Sequence, residues 1–554
     1  MVASEKMREV KEKEMKHKKL LAAILAASMV LPLVGCKKAE ETKAKKRKST
    51  KKTTIEETET EDTEPSESET TEPTEDTKTS ETSSAIDKET YEGAKIPLDP
   101  AAGFGTGEQD DLTAKLLEDD RVVAAEKRTA YADMLDHDKY VVFWSMPLDW
   151  EDPDAGEFLL RSELVLADID GPNTFICDGY MLAGYFDFDF RNDFAETFDT
   201  NVIECEHRFF GYSVPEGLSN DSTDLWQYLT DENAAADFHY IIETYKTILS
   251  GKWAFTGGSK GGQLTHMQSH FYPDDADIYV SFVAPGGCAQ DAPDFFDFIY
   301  TAIGNEAYGE AKAEEYRNLV LEFQVEAMKL KDKLADRYYQ YGIQNGSEFN
   351  DFTTPEILYD MCVLEFATTF WQYFPDFDML EDILAMDRSS DKFADKVFNY
   401  LVVTNEPDIW ATTSVYFPYY VQAAKQNGEH EYDFSFLRAA LAEQGLEDLL
   451  TVTEDMEEGL LYRMVFTDEQ LETFTFDDSL YNDMVEWSHT TDCTVIMIYG
   501  ARDVWYSMRL PDVTDNPNIH IYVGENASHM ANLQMVTSTE RAEIERLVKE
   551  ALGI

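Results

Sequence analysis

One serine and one lysine stand between four glycines in the segment GGSKGG, which runs from Gly257 to Gly262. A phosphate-binding loop requires GxxxxGK followed by Ser or Thr, and a dinucleotide fingerprint requires GxGxxG. Neither spacing is present here. The segment instead satisfies GxSxG between a strand-like run and a helical one, which is the context of a nucleophile elbow. The pattern therefore predicts that Ser259 is a catalytic nucleophile.

A nucleophilic serine needs a base that takes its proton and an acid that orients the base. In an α/β-hydrolase the acid follows a late strand, and the histidine comes last in the chain. Asp503 follows the apolar run TVIMIYG, and His529 follows the next run, IHIYVGE. Asp512 and Asp515 also lie between these runs, but further from the end of the first. We expect Ser259, Asp503 and His529 to meet at one edge of a sheet.

The other histidines near these runs fit the role of base less well. His489 precedes a strand-like run and His520 begins one, so both belong at the opposite edge of the sheet. His266 and His270 share one face of a helix, but the segment HMQSH lacks the glutamate of a zinc-binding HExxH motif. The sequence therefore predicts no metal site and no cofactor.

Two backbone N–H groups are needed to stabilise the oxyanion of an acyl-transfer reaction. One comes from the residue after the nucleophile, here Lys260, and the other from the loop after the third strand. That loop reads DGY, so the N–H of Gly179 or Tyr180 is the second candidate. Lys260 acts through its backbone in this prediction, and its ammonium group has no assigned role.

Eight short runs rich in β-branched and aromatic residues predict strands, and helical stretches separate several of them. The runs cover residues 140–146, 158–169, 174–177, 201–210, 252–258, 278–285, 494–500 and 519–525. The later runs are almost continuously apolar, as is typical of strands buried on both faces of a parallel sheet. This order of elements predicts an α/β fold.

Residues 304–469 differ from their surroundings because their composition and 3.6-residue periodicity indicate helices. A helical insertion between strands of an α/β sheet is most simply a cap over the carboxyl edge, and the alternative is an independent domain. We therefore predict an α/β-hydrolase sheet with a mainly helical cap. Residues 109–303 and 470–554 would form the two parts of the hydrolase domain.

The first 108 residues have the features of a targeting segment and a tether. A basic stretch at 16–19 precedes the apolar run LLAAILAASMVLPLV, and LVGC then ends at Cys36. LVGC resembles the lipobox of bacterial lipoproteins, so residues 1–36 are expected to be a lipoprotein signal peptide with Cys36 as the lipidated residue. An ordinary signal peptide or a short membrane helix is the alternative. Residues 37–108, rich in Thr, Glu, Lys and Ser, predict a disordered tether, and the expected location is the extracytoplasmic face of the cell membrane.

Charge and cysteine content exclude several classes of protein. The formal net charge is −62, and such a surface repels phosphate, so nucleic acid is excluded as a partner. Besides Cys36 the chain has five widely spaced cysteines and no CxxC motif. This spacing favours free, mostly buried thiols over a disulfide scaffold or a zinc knuckle.

Five segments resemble the secreted tripeptidyl aminopeptidases, a family of bacterial serine peptidases related to prolyl carboxypeptidase and dipeptidyl-peptidase II. They read ECEHRFFGYSVP, TGGSKGG, FYPDDADIYVSFVAP, GARDVW and ASHMANL. The resemblance extends from about residue 112 to the C-terminus. It implies an exopeptidase that releases tri- or dipeptides from peptide N-termini, often at proline-containing sites, through an acyl-enzyme. Val504 departs from the pattern, since the family usually has proline at this position.

An exopeptidase of this kind neutralises the free ammonium group of its substrate, and carboxylates do so through charge-assisted hydrogen bonds. Glu204 and Glu206, late in the fourth predicted strand, are the first candidates. The alternative is that Glu206 braces its own loop. Glu365, Trp371 and Tyr373 in the predicted cap are further candidates, and the sequence does not choose among them.

Two other functions are compatible with this fold. An esterase or lipase would use the same triad on a different acyl substrate. A lipoprotein that binds peptides for uptake would need no triad, and the presence of all three residues argues against it. The expected partners are therefore peptide substrates and, through Cys36, the membrane.

Overall fold

The computed structural model describes residues 90–98, 104–129, 137–182, 192–373, 375–404 and 416–554. The predicted signal peptide, Cys36 and most of the predicted tether lie outside the described residues. Among the residues that are described, no helix has both the length and the apolar character needed to cross a membrane.

Nine strands of the described chain form one large sheet, and two very short strands pair separately. The strands are β1 Val122–Lys127, β2 Asp138–Pro147, β3 Glu157–Leu166, β4 Asn173–Cys177, β5 Asn201–Cys205, β6 Trp253–Gly258, β7 Ile278–Phe282, β8 Asp291–Ala292, β9 Glu429–His430, β10 Val495–Gly500 and β11 Ile519–Gly524. The order in the large sheet is β1-β2-β3-β5-β4-β6-β7-β10-β11, and β8 pairs with β9.

The sheet changes from antiparallel to parallel along its width. β1, β2 and β3 are antiparallel neighbours, and β5 runs antiparallel to β3. From β5 to β11 every neighbouring pair is parallel, so the carboxyl ends of these strands share one edge. The chain order reverses between β4 and β6, and open α/β sheets bind their ligands in the crevice at such a switch point.

The parallel strands are apolar throughout because both faces of the sheet are covered. Val495, Met497 and Tyr499 of β10 belong to the large core on one face. Ile496 and Ile498 pack on the other face with residues of the C-terminal helix Ser538–Leu552. Because successive side chains alternate between the faces, a strand covered on both sides must be apolar at nearly every position.

Helices connect the strands and form the insertion between β7 and β10. Outside the insertion they are Asp111–Leu116, Asp193–Phe198, Thr223–Trp226, Asp231–Lys246, Lys260–Phe271 and Ser538–Leu552. Within it they are Phe295–Thr301, Asn305–Tyr308, Glu310–Met328, Lys331–Gln344, Pro355–Gln372, Phe377–Leu384, Asp391–Thr404, Phe417–Gln422, Ser435–Ala442, Glu454–Glu457, Leu460–Val465, Asp468–Thr473 and Ser479–Thr490. The boundaries 304 and 469 stay a prediction.

The helix Pro355–Gln372, called the central cap helix below, is the core of the insertion. Almost every residue from Ile357 to Trp371 is buried, as expected of a helix that is apolar on all sides. At its end, the carbonyl oxygen of Gln372 accepts a 3.0 Å hydrogen bond from the backbone N–H of His529. The central cap helix therefore contacts the loop after β11, at the carboxyl edge of the sheet.

All eight predicted strands are present, and their order gives an α/β-hydrolase sheet, which confirms the predicted fold class. The sequence did not reveal β1 or the two-residue strands β8 and β9. The fourth predicted strand was too long, because β5 ends at Cys205 and the chain then turns. Phe209 and Gly211 both have positive φ, 71° and 59°, and extended structure does not continue through such residues.

Candidate active site

Ser259 lies on a strained turn between β6 and the helix Lys260–Phe271. Its backbone has φ 55° and ψ −124°, a conformation that non-glycine residues rarely adopt. Its N–H donates a 2.9 Å hydrogen bond to the carbonyl oxygen of Phe282, and its own carbonyl accepts one from Gln263 N at 3.0 Å. Strain of this kind persists only where surrounding contacts impose it, and it concentrates at functional sites.

The glycines around Ser259 allow three pieces of backbone to approach one another. A Cβ on Gly257 would lie 2.3 Å from the carbonyl oxygen of Gly261, and a Cβ on Gly261 would lie 1.9 Å from that of Cys177. Both distances are far below van der Waals contact. Gly258 has no such constraint, since the nearest atom to its Cβ would be 4.0 Å away. Close packing of β4, β6 and the following helix thus explains Gly257 and Gly261.

His529 and Asp503 form a pair at the same edge of the sheet. His529 Nδ1 lies 2.9 Å from each carboxylate oxygen of Asp503, which is fully buried and also accepts a 3.1 Å hydrogen bond from Trp505 N. An Nδ1–H donated to a carboxylate leaves Nε2 as the nitrogen with a free lone pair. The pair thus has the orientation that a general base requires.

The loop after β7 connects this pair with the elbow. Phe282, whose carbonyl holds the N–H of Ser259, is the last residue of β7. Val283, the next residue, packs against Ala527 and Ala531, which flank His529 at a distance of two residues on either side. The loop after β7 therefore contacts both the Ser259 turn and the segment that carries His529.

The ammonium group of Lys260 occupies a specific buried position. Lys260 Nζ donates a 2.6 Å hydrogen bond to the carbonyl oxygen of Gly179, and it lies 4.9 and 5.3 Å from the ring centres of Phe210 and Tyr180. Burial lowers the pKa of Lys260 to about 8, although the Asp231 carboxylate opposes this shift. No motif or spacing in the sequence indicates a role for this ammonium group.

The loop after β4 is fixed from both sides. Because the peptide unit is planar and trans, the N–H of Tyr180 points away from the Gly179 carbonyl that Lys260 binds. The carbonyl of Tyr180 accepts a 2.8 Å hydrogen bond from His207 N. Gly179 has φ 77°, which favours glycine at this turn. The two candidate N–H donors, Lys260 and Tyr180, thus belong to segments that contact each other directly.

Glu206 is surrounded by partners from its own region. Its Oε2 accepts hydrogen bonds from Tyr212 N at 2.9 Å and Ser213 Oγ at 2.8 Å, and Arg161 Nη1 lies 3.6 Å from Oε1. Leu182 N donates a longer bond of 3.4 Å to Oε1. Only 1% of Glu206 is exposed, and burial raises its pKa to about 7. These contacts favour a bracing role for Glu206 over binding of a substrate.

Glu204 lies within β5 and forms a hydrogen-bonded carboxyl pair with Asp178. Burial and the neighbouring Asp178 carboxylate raise the pKa of Glu204 well above its usual range. Two buried carboxyl groups in contact share a proton, because ionising both is too costly. Glu204 is therefore the neutral member of the pair and is poorly suited to neutralise an ammonium group.

Other histidines and aspartates that the sequence offered as alternatives form hydrogen bonds or ion pairs elsewhere in the structure. His489 Nδ1 lies 2.7 Å from Asp515 Oδ1 on the surface, and Asp512 pairs with the arginine three residues before it. His266 Nε2 lies 2.7 Å from Ser281 Oγ in the interior, where burial lowers the pKa of His266 to about 3. These histidines and acids are thus accounted for by local contacts.

One group among the described residues has ligand atoms close enough to hold a metal ion. These atoms, from His239, Glu243 and Asp275, lie within 4.8 Å of one another. Asp275 already accepts hydrogen bonds from His239 Nδ1 at 2.7 Å and Gln268 Nε2 at 2.6 Å. Asp275 precedes β7, so the group is at the amino edge of the sheet, opposite Ser259.

The cap contributes a buried ionic cluster that the sequence did not reveal as a unit. Its members, called the cap cluster below, are Glu365, Glu429, His430 and Tyr419. His430 Nε2 lies 3.2 Å from Glu365 Oε1 and 3.8 Å from Glu429 Oε1, and the Tyr419 hydroxyl donates a hydrogen bond to Glu429 Oε2. Burial lowers the pKa of His430, but the Glu365 and Glu429 carboxylates outweigh burial and raise it to about 9.

Aromatic side chains connect the cap cluster with the sheet edge. The ring centre of Trp505 lies 5.6 Å from that of His430 and 6.4 Å from that of His529. On the other side, the Tyr180 ring lies 6.0 Å from the Tyr419 ring. The only sequence signal for the cap cluster was Glu365, which stood among several candidates. Glu429 and His430 carry no motif, and only the packing of the cap reveals them.

Comparison with known proteins identifies related peptidases. Residues 129–546 match the model of the PS-10 peptidase S37 family. The prolyl tri/tetrapeptidyl aminopeptidase of Streptomyces mobaraensis is 25% identical over 420 residues, which cover 75% of this chain and 80% of that protein.

Solved structures of other α/β proteins are similar at lower sequence identity. The proline iminopeptidase-related protein of Thermus thermophilus has a TM-score of 0.28 at 12% identity and covers 74% of this chain and 97% of its own. An acetylester hydrolase of Corynebacterium glutamicum has a TM-score of 0.31 at 11% identity and covers 72% of this chain and 91% of its own. Since the family model matches most of the chain, this protein belongs to the PS-10 peptidase S37 family and is a serine peptidase.

Proposed function

We propose that this serine peptidase is an exopeptidase that releases short peptides of two to four residues from the N-termini of its substrates, with a preference for proline-containing sites. The observation that carries the proposal is the strained Ser259 elbow at the same edge of the sheet as the His529–Asp503 pair, in a chain of this family. The similarity to a prolyl tri/tetrapeptidyl aminopeptidase supports the length of the product and the preference for proline.

The reaction follows from the chemistry of the three side chains and from the contact between His529 and Asp503. His529 Nε2 takes the proton of Ser259 Oγ as the oxygen attacks the scissile carbonyl carbon, and Asp503 stabilises the resulting imidazolium. His529 then donates the proton to the leaving amine, and the acyl-enzyme ester remains on Ser259. Water, deprotonated by His529, attacks this ester and releases the short peptide with a free carboxylate.

The oxyanion is stabilised in this proposal by the backbone N–H groups of Lys260 and Tyr180. Lys260 acts in a second way, as a positioning residue, because its ammonium group holds the Gly179 carbonyl at 2.6 Å. Fixing that carbonyl fixes the direction of the Tyr180 N–H in the same planar peptide unit. Preorganised donors of this kind need no reorganisation when the negative charge develops.

We further propose that the chain is anchored through a lipid on Cys36 at the extracytoplasmic face of the membrane. The basic and apolar stretches before LVGC support this location. We expect the wild-type protein to sediment with membranes. In a Cys36→Ser variant we expect the N-terminal peptide to lack the added mass of the lipid. Equal lipid content in the two proteins, measured by mass spectrometry of the N-terminal peptide, would contradict the anchor.

A mixed peptide library tests the proposed activity. The domain from residue 90 onward is incubated with the library, and products are identified by mass. We expect di- to tetrapeptides derived from free N-termini, enriched in cuts at proline. Internal cleavage without regard to the N-terminus, or hydrolysis of simple acyl esters in preference to peptides, would contradict the proposal.

A further inference from the structure

The cap cluster has two carboxyl groups and one cationic side chain. The carboxyl groups are those of Glu365 and Glu429, and the cation is the imidazolium of His430. Burial raises the pKa of Glu429, although His430 opposes this shift, and a second cation beside Glu429 would favour its charged form. Within the described part of the chain, no lysine or arginine forms an ion pair with either carboxylate. All three side chains are buried, with 3–5% of their surface exposed. Because burying an unpaired charge is costly, the cluster is suited to receive one additional cation.

One oxygen atom of the cap cluster can accept a further hydrogen bond from such a cation. Glu365 Oε1 is buried and pairs with His430 Nε2 at 3.2 Å, and Tyr432 also forms a side-chain hydrogen bond with this carboxylate. Because a carboxylate oxygen has two lone pairs, Glu365 Oε1 can accept a second donor besides His430. Glu429, by contrast, already accepts hydrogen bonds from the Tyr419 hydroxyl and from His430 N. An ammonium group has three N–H donors, and Glu365 Oε1 can accept one of them.

The position of the cap cluster matches the length of a short peptide. Trp505 contacts both imidazoles, so the His430 and His529 ring centres are at most about 12 Å apart, given the two separations of 5.6 and 6.4 Å. An extended chain advances about 3.3–3.6 Å per residue. Three residues therefore reach roughly from a carbonyl at Ser259 to the cap cluster, whereas a much longer segment does not fit unless it bends.

The residues between the two sites are aromatic and partly exposed. Tyr180 lies next to Tyr419 and Tyr416, with ring centres 6.0 and 6.4 Å apart, and Tyr373 lies 6.5 Å from the ring of His529. Aromatic faces bind apolar and proline-containing backbone without supplying charge that would compete for the ammonium group. The path from Ser259 to the cap cluster is therefore suited to a short peptide with one charged end.

From these contacts we propose that Glu365 and Glu429, held by His430, bind the free α-ammonium group of the substrate and thereby set the length of the released peptide. This inference rests on the proposed exopeptidase function and assigns its N-terminal receptor. Bound ammonium would complete the charge balance of the cluster and direct the scissile carbonyl to Ser259. Glu204 and Glu206, the first candidates from the sequence, are not part of this receptor.

Glu365→Gln tests the proposal with two substrates, a tripeptide p-nitroanilide with a free amino group and its N-acetyl derivative. Loss of a buried charge partner weakens binding strongly. We therefore expect kcat/KM for the free-amino substrate to fall on the order of 10²-fold, mainly through KM. For the N-acetyl substrate kcat/KM should stay unchanged, so the preference for the free amino group should collapse. Glu429→Gln should act in the same direction.

Glu326→Gln is the matched control, because Glu326 is also a mostly buried cap glutamate but pairs with Lys329 and Arg388. Glu326→Gln should leave the preference for the substrate with a free amino group unchanged. A second experiment uses only the wild-type enzyme and therefore does not depend on whether Glu365→Gln folds. It compares inhibition by the free tripeptide with inhibition by the N-acetyl tripeptide. We expect the free tripeptide to inhibit on the order of 10²-fold more strongly.

The outcomes separate this inference from the proposed function. A wild-type preference for the free amino group that survives in both glutamine variants would overturn the receptor and leave the exopeptidase function intact. Equal inhibition by the two tripeptides would also overturn it. If the wild-type enzyme cleaves acetylated and free substrates equally well, the exopeptidase function itself is contradicted, and the receptor with it.

Discussion

The carboxyl edge of the sheet and the cap cluster are built in different ways. At the sheet edge, Ser259, Asp503 and His529 each follow a strand, and backbone topology decides where they lie. In the cap cluster, Glu365 comes from a long helix and Glu429 from a two-residue strand 64 positions later, and side-chain packing alone brings them together. If Ser259 is the nucleophile and the cap cluster binds the substrate's ammonium group, as we propose, the chemistry of this enzyme depends on strand order and its substrate selection depends on the helices of the cap.

This difference predicts different consequences of substitution. A change at the sheet edge should slow the reaction with every substrate, because it acts on the reacting atoms. A change in the cap cluster should depend on whether the substrate has a free amino group. Comparing a free-amino with an acetylated substrate therefore assigns each residue to one region or the other.

Of the substitutions Asp503→Asn, Lys260→Met and Glu206→Gln, the first has the largest expected effect. The amide no longer stabilises the imidazolium of His529 and favours the wrong tautomer, so kcat should fall about 10⁴-fold at neutral pH. Both substrates should be affected equally, which a steady-state assay on the pair measures. Asp512→Asn, at a nearby surface aspartate, should retain wild-type rates. A decrease in kcat for the free-amino substrate alone would show that Asp503 acts on substrate selection and not on the reacting atoms.

A smaller effect is expected for Lys260→Met. Without the ammonium group the Gly179 carbonyl is no longer held, so the Tyr180 N–H is less well placed, and kcat should fall roughly 10–10²-fold with little change in KM. Lys252→Met, at an exposed lysine before β6, should behave as wild type. An unchanged kcat would show that the ammonium group has no positioning role.

The pH profile adds a second readout for Lys260. Since its pKa is lowered to about 8, the ammonium group is charged below that pH and is lost as pH rises through it. Asp231, Cys177 and His207 are the other titratable groups that interact with it. We expect kcat of the wild-type enzyme to fall above about pH 8, and this alkaline decrease should be absent in Lys260→Met.

The smallest effect on activity is expected for Glu206→Gln. The amide cannot reproduce the acceptor pattern toward Tyr212, Ser213 and Arg161, so the free energy of unfolding should fall by about 1–3 kcal/mol. The ratio of free-amino to acetylated turnover should not change. Glu151→Gln, on the surface, serves as the control. A collapse of the ratio without loss of stability would return Glu206 to the role of ammonium receptor.

The free energy of unfolding of the wild-type protein should depend on pH through the protonation of Glu206. Its pKa is raised from 4.5 to about 7, so the folded state binds a proton that the unfolded state has lost between these values. The contribution of Glu206 to stability is therefore complete below about pH 4.5 and is lost as pH rises through about 7. Chemical unfolding at pH 5 and pH 8 should show this loss in the wild type and not in Glu206→Gln.

Sequence reasoning predicted the sheet-edge residues because their signals are local. The segment GGSKGG is only six residues long, and Asp503 and His529 each follow an apolar run within a few positions. The eight strands were equally visible, since strands covered on both faces are apolar at almost every residue.

The remaining features depend on contacts between distant segments. The ammonium group of Lys260 binds a carbonyl 81 residues earlier in the chain, which no spacing in the sequence indicates. The segment HRFF after Cys205 resembles a continuing strand, although Phe209 turns the chain with a positive φ. Glu429 and His430 stand in a polar stretch like many others in this acidic protein, and only burial distinguishes them.

Mapping the adduct of a serine-directed fluorophosphonate tests most directly the claim that Ser259 is the nucleophile. We expect one adduct, on the tryptic peptide that carries Ser259, with parallel loss of tripeptide release. Ser259→Ala should neither be labelled nor turn over substrate, and His529→Ala should be labelled much more slowly. An adduct on another serine, or wild-type cleavage by Ser259→Ala, would contradict the claim.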